Sequence, residues 1–245
     1  MPTNPGPTNL VEWLSLDEVS GTRTGSHAAR ALADVNTVGS TTGKQGSAAI
    51  FVRANAERLT STDSAFQAGD IDFTIGFWYK PTTLGGGFNH HVISKWVGGT
   101  NEYTLGYSDL TSNAFRLDYG SGAAVDTAVG SITAGTWHFC VGWHDSVNNL
   151  LGISVDGNAS VTSSYSAGAT AGASTFTIGG IGSGFTPTDG SVDEAFIYKN
   201  RRLTDDEIAF LYNSGAGVTY ATVAATGAPL LMQMMRLSHT GGFLS

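Results

Sequence analysis

Apolar and polar residues alternate with a period of two along much of this chain. In "IDFTIGFWYKP", Ile71, Phe73, Ile75, Phe77 and Tyr79 share one side, while Asp72, Thr74, Gly76, Trp78 and Lys80 share the other, and Pro81 ends the run. That is the pattern of a strand with one core face. Similar runs recur as "VEWLSLDE", "AAIFV", "RLTST", "HVISKW", "EYTLGY", "AFRLDYG", "TWHFCVGWHD", "LLGISVDG", "TFTIGG" and "SVDEAFIY". Roughly a dozen strands separated by Gly-rich turns predict an antiparallel β-sandwich. Asp156-Gly157 lies between strand-like flanks and predicts a hairpin over residues 147–162, because both central positions of a type I′ turn need positive φ.

The period changes once, in "GSVDEAFIYKNRRLTDDEIAFLYNSG". Thr204 is placed as an N-cap, Glu207 completes a capping box, and Leu203 with Ile208 has the spacing of a hydrophobic staple. Asp205 and Asp206 set negative charge against the positive end of the helix dipole, and Gly215 supplies a stop. Ile208, Leu211 and Tyr212 share a face, so this short helix must lie against a larger apolar surface. It reads as the closing element of a domain over residues 11–215, between an N-terminal arm (1–10) and a C-terminal arm (216–245).

With 245 residues the chain suits one large all-β domain or two small ones. The single cysteine, Cys140, excludes an internal disulfide and a cysteine-based metal cluster. The 33 glycines and a charged fraction of 13% predict a hydroxyl-rich surface. A net charge of −8 with twelve dispersed basic residues argues against a nucleic-acid partner. The first ten residues lack the pattern of a secretory signal, and no apolar run is long enough for a membrane span, so neither classical export nor membrane insertion is expected. No repeat at a fixed period appears.

The order of these pieces resembles the laminin-G-like, concanavalin A-like lectin/glucanase jelly-roll superfamily. The resemblance is carried by "WLSLDEVSG", "GKQGSAAIFV", "FTIGFWYKP", "HVISKW", "TWHFCVGWHD", "LLGISVDG", "FTIGG" and the closing strand and helix, over about residues 9 to 215. It implies a two-sheet antiparallel jelly roll with one short C-terminal helix, in modules that bind carbohydrate or other proteins. Catalysis is not implied. Glycosidases of this fold carry a Glu-x-Asp-x-Glu strand, because glycoside cleavage needs two opposed carboxyl groups. Here the six glutamates, Glu12, Glu18, Glu57, Glu102, Glu194 and Glu207, form no such triad, and Asp17-Glu18 and Asp193-Glu194 are adjacent and point oppositely from a strand. The chain also departs from the family in "FVRANAERL", where Arg53 replaces a common acidic rim residue.

Four sets of candidate residues follow. The resemblance implies a structural Ca²⁺ held by Asp193 and the region of Asp17; the alternative is that Asp193, read as sharing a strand face with inward-looking Ala195 and Ile197, accepts backbone N–H bonds and anchors the N-terminal loop. For sugar binding, which needs a flat aromatic face beside amide or hydroxyl groups, the candidates are Trp96, Tyr107 and Tyr119 with Asn101 and Asn113. Trp13, Trp78, Trp137 and Trp143 read as packing. His90, His91, His138, His144 and Asp145 invite a zinc proposal, but adjacent His90 and His91 project oppositely, and satisfied or exposed histidines are the better reading. Finally, Leu230, Leu231, Met232, Met234, Met235 and Leu237 form an adaptable apolar stretch suited to docking on another subunit.

Taken together, these readings predict a non-catalytic structural or adhesion module. The expected setting is a virion surface, as a bacteriophage decoration or fibre-associated protein that contacts other virion proteins or its own copies in a homo-oligomer and binds host-surface or environmental glycans. The alternative is a lectin-like carbohydrate-binding domain of a secreted or cell-surface protein, with an extracellular location.

Overall fold

The computed structural model describes residues 1–225 apart from 98, 99, 111, 112 and 121, with the side chains of 97 and 100 also left aside. Among these residues the strands are, in chain order, β1 (Leu10–Leu14), β2 (Arg23–Thr24), β3 (Ala31–Val35), β4 (Gly39–Thr42), β5 (Ser47–Phe51), β6 (Arg58–Ser61), β7 (Phe73–Pro81) and β8 (Asn89–Val97). There follow β9 (Thr100–Ser108), β10 (Ala114–Tyr119), β11 (Ala123–Asp126), β12 (His138–Asp145), β13 (Leu150–Val155), β14 (Val161–Ser164), β15 (Phe176–Ile178) and β16 (Gly190–Lys199). The first sheet runs β14-β13-β12-β7-β16-β5-β4, with β1 added on β16; the second runs β11-β10-β9-β8-β15-β6-β3-β2. Every described pairing is antiparallel, as the sequence predicts. Asp156 and Gly157 take the expected positive φ values of 52° and 69° at the turn after β13.

Between the sheets, Phe73, Ile75, Phe77 and Tyr79 of β7 meet Leu105, Phe115, Leu117 and Ile178 of the opposing layer. The expected alternation of β7 is present, but its other side is not polar. Trp78 packs with Trp13, Phe139, Trp143, Phe196 and Tyr198 in a second apolar cluster on the outside of the first sheet. Glycine makes room there: a Cβ on Gly76 would lie 2.2 Å from the Phe196 ring. The first sheet is therefore buried on both faces, which accounts for its near-continuous apolar runs.

Helix α1 (Asp205–Tyr212) covers this outer cluster with Leu203, Ile208 and Leu211. Both halves of the capping box are present: Thr204 Oγ1 accepts from the Glu207 N–H at 3.3 Å, and the Glu207 carboxylate accepts from the Thr204 N–H at 2.8 Å. The stop differs from expectation. Asn213 (φ 49°, ψ 51°) makes the left-handed cap, and Gly215 ends the 3-10 turn that follows; Asn tolerates this conformation better than other non-glycine residues.

The packing also continues past Gly215. Val218 and Val223 join the outer cluster, Val223 from a second short helix, α2 (Tyr220–Ala224). The N-terminal arm is fastened to the same layer: Tyr198 Oη donates to Gly6 O at 2.8 Å, Arg201 Nη1 to Pro5 O at 2.9 Å, and Asn4 Nδ2 to Thr222 O at 3.0 Å. The docking stretch Leu230, Leu231, Met232, Met234, Met235 and Leu237 lies outside the described residues.

A bulge in β16 changes the predicted placement of Asp193. Register shifts between Asp193 and Phe196, and Glu194 takes φ 47°. The extra residue resets the alternation, so that Val192 faces inward together with Ala195 and Ile197, while Asp193 pairs with Trp78. Asp193 then accepts the backbone N–H groups of Lys44 (2.7 Å), Gln45 (2.9 Å) and Glu194 (2.8 Å), and Asp17 accepts that of Ser47 (2.7 Å). These oxygens face N–H donors, the arrangement of a loop anchor, and the calcium expectation for Asp17 and Asp193 gains no ligand set. Among the described residues no group of three or more His, Cys, Asp and Glu stands in a metal-ligating arrangement.

Glu194 is also buried, its carboxylate receiving the Trp13 indole N–H. Burial, with Asp193 and Asp17 nearby, pushes Glu194 up to about 8, and burial pushes Asp193 up to about 7 against its backbone donors. The folded chain thus holds protons that the unfolded chain releases. This contribution to stability is complete below the ordinary carboxylate range and is lost as pH rises toward 8. Urea denaturation should therefore show Glu194→Gln gaining on the wild type by roughly 1–3 kcal/mol between pH 5 and pH 8; an unchanged difference would contradict the assignment. At the helix cap, Thr204→Ala should cost about 1 kcal/mol and lower Tm by about 2–4 °C, read by thermal melting.

Candidate functional site

With the outside of the first sheet covered, the outer face of the second sheet carries the polar side chains. In β10, Phe115, Leu117 and Tyr119 point into the core, which turns Arg116 and Asp118 outward. Across β9 and β8, Gly106 and His91 continue the row of Arg116, and Trp96 stands opposite Asn101. At this end of the sheet lies a cavity of about 550 Å³. Its wall includes Asn89, His91, Trp96, Asn101, Arg116 and Asp118, with Thr186 arriving from the β15–β16 connection.

The polar chemistry of the wall is unevenly satisfied. Arg116 forms ion pairs through Nε to Asp118 at 2.8 Å and through Nη1 to Asp126 at 2.9 Å, and Asp118 also accepts from Thr104 Oγ1 at 3.2 Å. Burial pushes the Asp118 carboxyl above its ordinary value, while Arg116 opposes that shift. His91 bonds Thr186 Oγ1 through Nδ1 at 2.7 Å and meets the Trp96 ring edge-on, with centroids 5.2 Å apart. Burial, followed by the neighbouring His90 and Arg116, lowers His91 to about 4, so its imidazole is neutral at physiological pH. In contrast, Asn89 Oδ1, Trp96 Nε1 and Asn101 Oδ1 are buried with no hydrogen-bond partner. Two smaller hollows, of about 340 and 310 Å³, contain none of these unpartnered atoms.

Of the sequence candidates, Trp96 and Asn101 come together in this wall. Tyr107 and Tyr119 do not: both are completely buried, because alternation in β9 and β10 places them with Tyr103, Leu105 and Leu117 between the sheets. Their hydroxyls are satisfied there, Tyr107 by Arg53 Nη2 at 2.9 Å and Tyr119 by Gly69 O at 2.6 Å, so neither offers a ring to solvent. Asn113 occupies a left-handed turn position (φ 63°) before β10 and does not line the cavity. Asn89, Arg116, Asp118 and Thr186 are not among the sequence candidates, and His91 is among them only as a zinc ligand. The outward phase of "AFRLDYG" could have indicated Arg116 and Asp118; nothing local to Thr186 could have placed it there.

The histidines scatter as their alternation predicts. His90 stacks between Phe88 and Tyr107, each 4.3 Å away, whereas His91 faces the cavity. His138 pairs with Asp156 at 2.8 Å, and His144 Nδ1 bonds Ile71 O at 2.8 Å. Trp13, Trp78 and Trp143 are buried, with Arg202 lying 3.9 Å over the Trp143 ring.

One carboxylate, Asp118, lines the described cavity, and it is committed to Arg116 and Thr104. The acid and nucleophile needed to cleave a glycoside are not assembled in that wall. What the arrangement offers is an indole ring with an unpartnered N–H and two amide acceptors, a set suited to binding.

Comparison with known proteins agrees with the fold. A laminin-G-type family model, described as the concanavalin A-like lectin/glucanases superfamily, matches residues 53–209. No curated protein matches the chain. Among solved structures, the binding domain of Paraclostridial Mosquitocidal Protein 1 superposes with a TM-score of 0.66 at 16% identity, over 85% of this chain and 52% of that one. The chain thus spans about half the length of that protein's structure. Domain 4 of AbnA, a GH43 extracellular arabinanase from Geobacillus stearothermophilus in complex with arabinotriose, gives 0.63 at 15% identity, over 86% of this chain and 98% of that one. Trypanosoma rangeli sialidase in complex with sialic acid gives 0.56 at 20% identity, over 86% of this chain and 34% of that one. These structural likenesses carry the fold, and the family match extends over well more than half of the sequence. The chain belongs to the concanavalin A-like lectin/glucanase superfamily.

Proposed function

We propose that this chain is a non-catalytic carbohydrate-binding domain of lectin type, which holds an oligosaccharide against Trp96 in the cavity beside β8–β11. The observation that carries this reading is the trio of unpartnered buried atoms, Asn89 Oδ1, Trp96 Nε1 and Asn101 Oδ1, on side chains of a single cavity wall. A buried polar atom without a partner is costly, roughly 1–3 kcal/mol each, and a ligand that supplies the missing bonds recovers that cost. A saccharide does so chemically: its hydroxyls donate to amide oxygens and accept from an indole N–H, and the apolar side of the ring covers an aromatic face. The cavity volume of about 550 Å³ also falls within the usual span of ligand clefts.

The AbnA domain supports the choice of probe, because a domain of similar fold is described in complex with arabinotriose. The particle-decoration expectation draws its partner surface from residues 230–237, outside the described chain, and the comparisons add no support to it. The lectin-like alternative is therefore preferred.

Calorimetric titration with arabinotriose and a panel of neutral trisaccharides tests the reading. Trp96→Ala and Asn101→Ala should each weaken binding about tenfold, on the order of 1.4 kcal/mol, with thermal melting of each variant showing that it still folds. Undiminished binding in both variants would remove the site from this cavity.

A further inference from the structure

Resting on that reading, we infer that the cavity selects uncharged saccharides and discriminates against those bearing a carboxylate, such as uronic and sialic acids. Arg116 is the one cation among the described residues lining the cavity, and two carboxylates claim it. Its Nε donates to Asp118 Oδ1 at 2.8 Å, while Nη1 donates to both oxygens of Asp126, at 3.2 and 2.9 Å. An acidic ligand that approaches Arg116 meets two negative groups around one positive group. Acid-binding sites have the opposite balance, with a guanidinium free to grip the ligand carboxylate in bidentate fashion.

The other elements that pack on the cavity do not restore the balance. His91 on β8 is neutral at physiological pH, and its Nδ1 is taken by Thr186. Lys95, next to Trp96 in sequence, does not line the cavity; it is buried, pairs with buried Glu102 at 3.2 Å and donates to Gly172 O at 2.8 Å. The β15–β16 connection contributes Thr186, and Gly120, Gly122, Ala123 and Ala124 complete the described rim, none of them charged. The two acceptor amides point the same way. Asn89 Oδ1 and Asn101 Oδ1 need hydrogen-bond donors, which sugar hydroxyls supply and the carboxylate of an acidic sugar does not. The wall thus offers two acceptors against one indole donor, and its one cation is shared by two carboxylates.

The same geometry predicts how the preference could be reversed. Asp126 lies on the edge strand β11, is partly exposed, and does not line the cavity. Replacing it with Asn should leave the fold intact, release part of the Arg116 fork and make the cavity less hostile to an acid.

The test uses the full chain on an immobilised panel of matched pairs: galactotriose with trigalacturonate, and lactose with sialyllactose, alongside arabinotriose. The expected result is that neutral members bind and their acidic counterparts bind at least about tenfold more weakly at low salt. Asp126→Asn should narrow that gap by roughly severalfold, a gain that misfolding would not produce. If acidic members bind as well as neutral ones and Trp96→Ala abolishes both, the site stands and the selectivity is overturned. If no saccharide binds, or binding ignores Trp96→Ala, the carbohydrate reading itself fails and takes this inference with it.

Discussion

The constraint on which this structure depends is that its central sheet is apolar on both faces. Trp78, Phe139, Phe196 and Tyr198 alternate with Ile75, Phe77, Cys140 and Ile197, so a second layer must shield the side turned away from the partner sheet. Apolar area left in water would forfeit about 25 cal/mol per Å², and these rings are large. The N-terminal arm, α1 and α2 provide that shield. Because they all collect on one side, the outer face of the other sheet is left with its polar residues and its cavity.

Buried carboxylates organise the loops around this frame. Glu12 is fully buried and accepts the backbone N–H groups of Trp13, His27, Ala28 and Arg30 at 2.8–3.0 Å. Gly25 is needed beside it, since a Cβ there would lie 2.0 Å from the Glu12 carboxylate carbon. Glu102 does similar work across the sandwich, holding Ala68 N and Gly172 N at 2.8 and 2.7 Å. Asp193 follows the same pattern. In a chain with few charges these acids serve as internal fasteners, each satisfied by main-chain donors.

The sequence made the long strands legible because a core-facing strand writes its apolar phase into consecutive residues. All eleven runs read as strands are strands, and the capping box of α1 is present as written. Short edge segments such as "GSTT" in β4 and "VTSS" in β14 escaped notice, since they bury little and are extended only because a neighbour pairs with them. Asp193 was misplaced because a one-residue bulge reverses alternation without leaving a mark in residue type. The site was half legible. Trp96 and Asn101 carry recognisable chemistry, but period two alone cannot say which face is outermost, and Tyr107 and Tyr119 fell on the wrong one. Thr186 joins by a connection far away in sequence, which only tertiary structure reveals.

The attachment of β1 has a consequence for biosynthesis. Leu10–Leu14 pairs with β16 and with no other described strand, and Trp13 stacks on Phe196 at 5.2 Å. During translation the earliest strand must therefore wait, unpaired, until Gly190–Lys199 leaves the ribosome. Contacts of such sequence separation fold slowly and expose apolar surface meanwhile. Local hairpins such as β4–β5 and β8–β9 can form earlier, but this edge of the first sheet closes only once its last long strand has emerged.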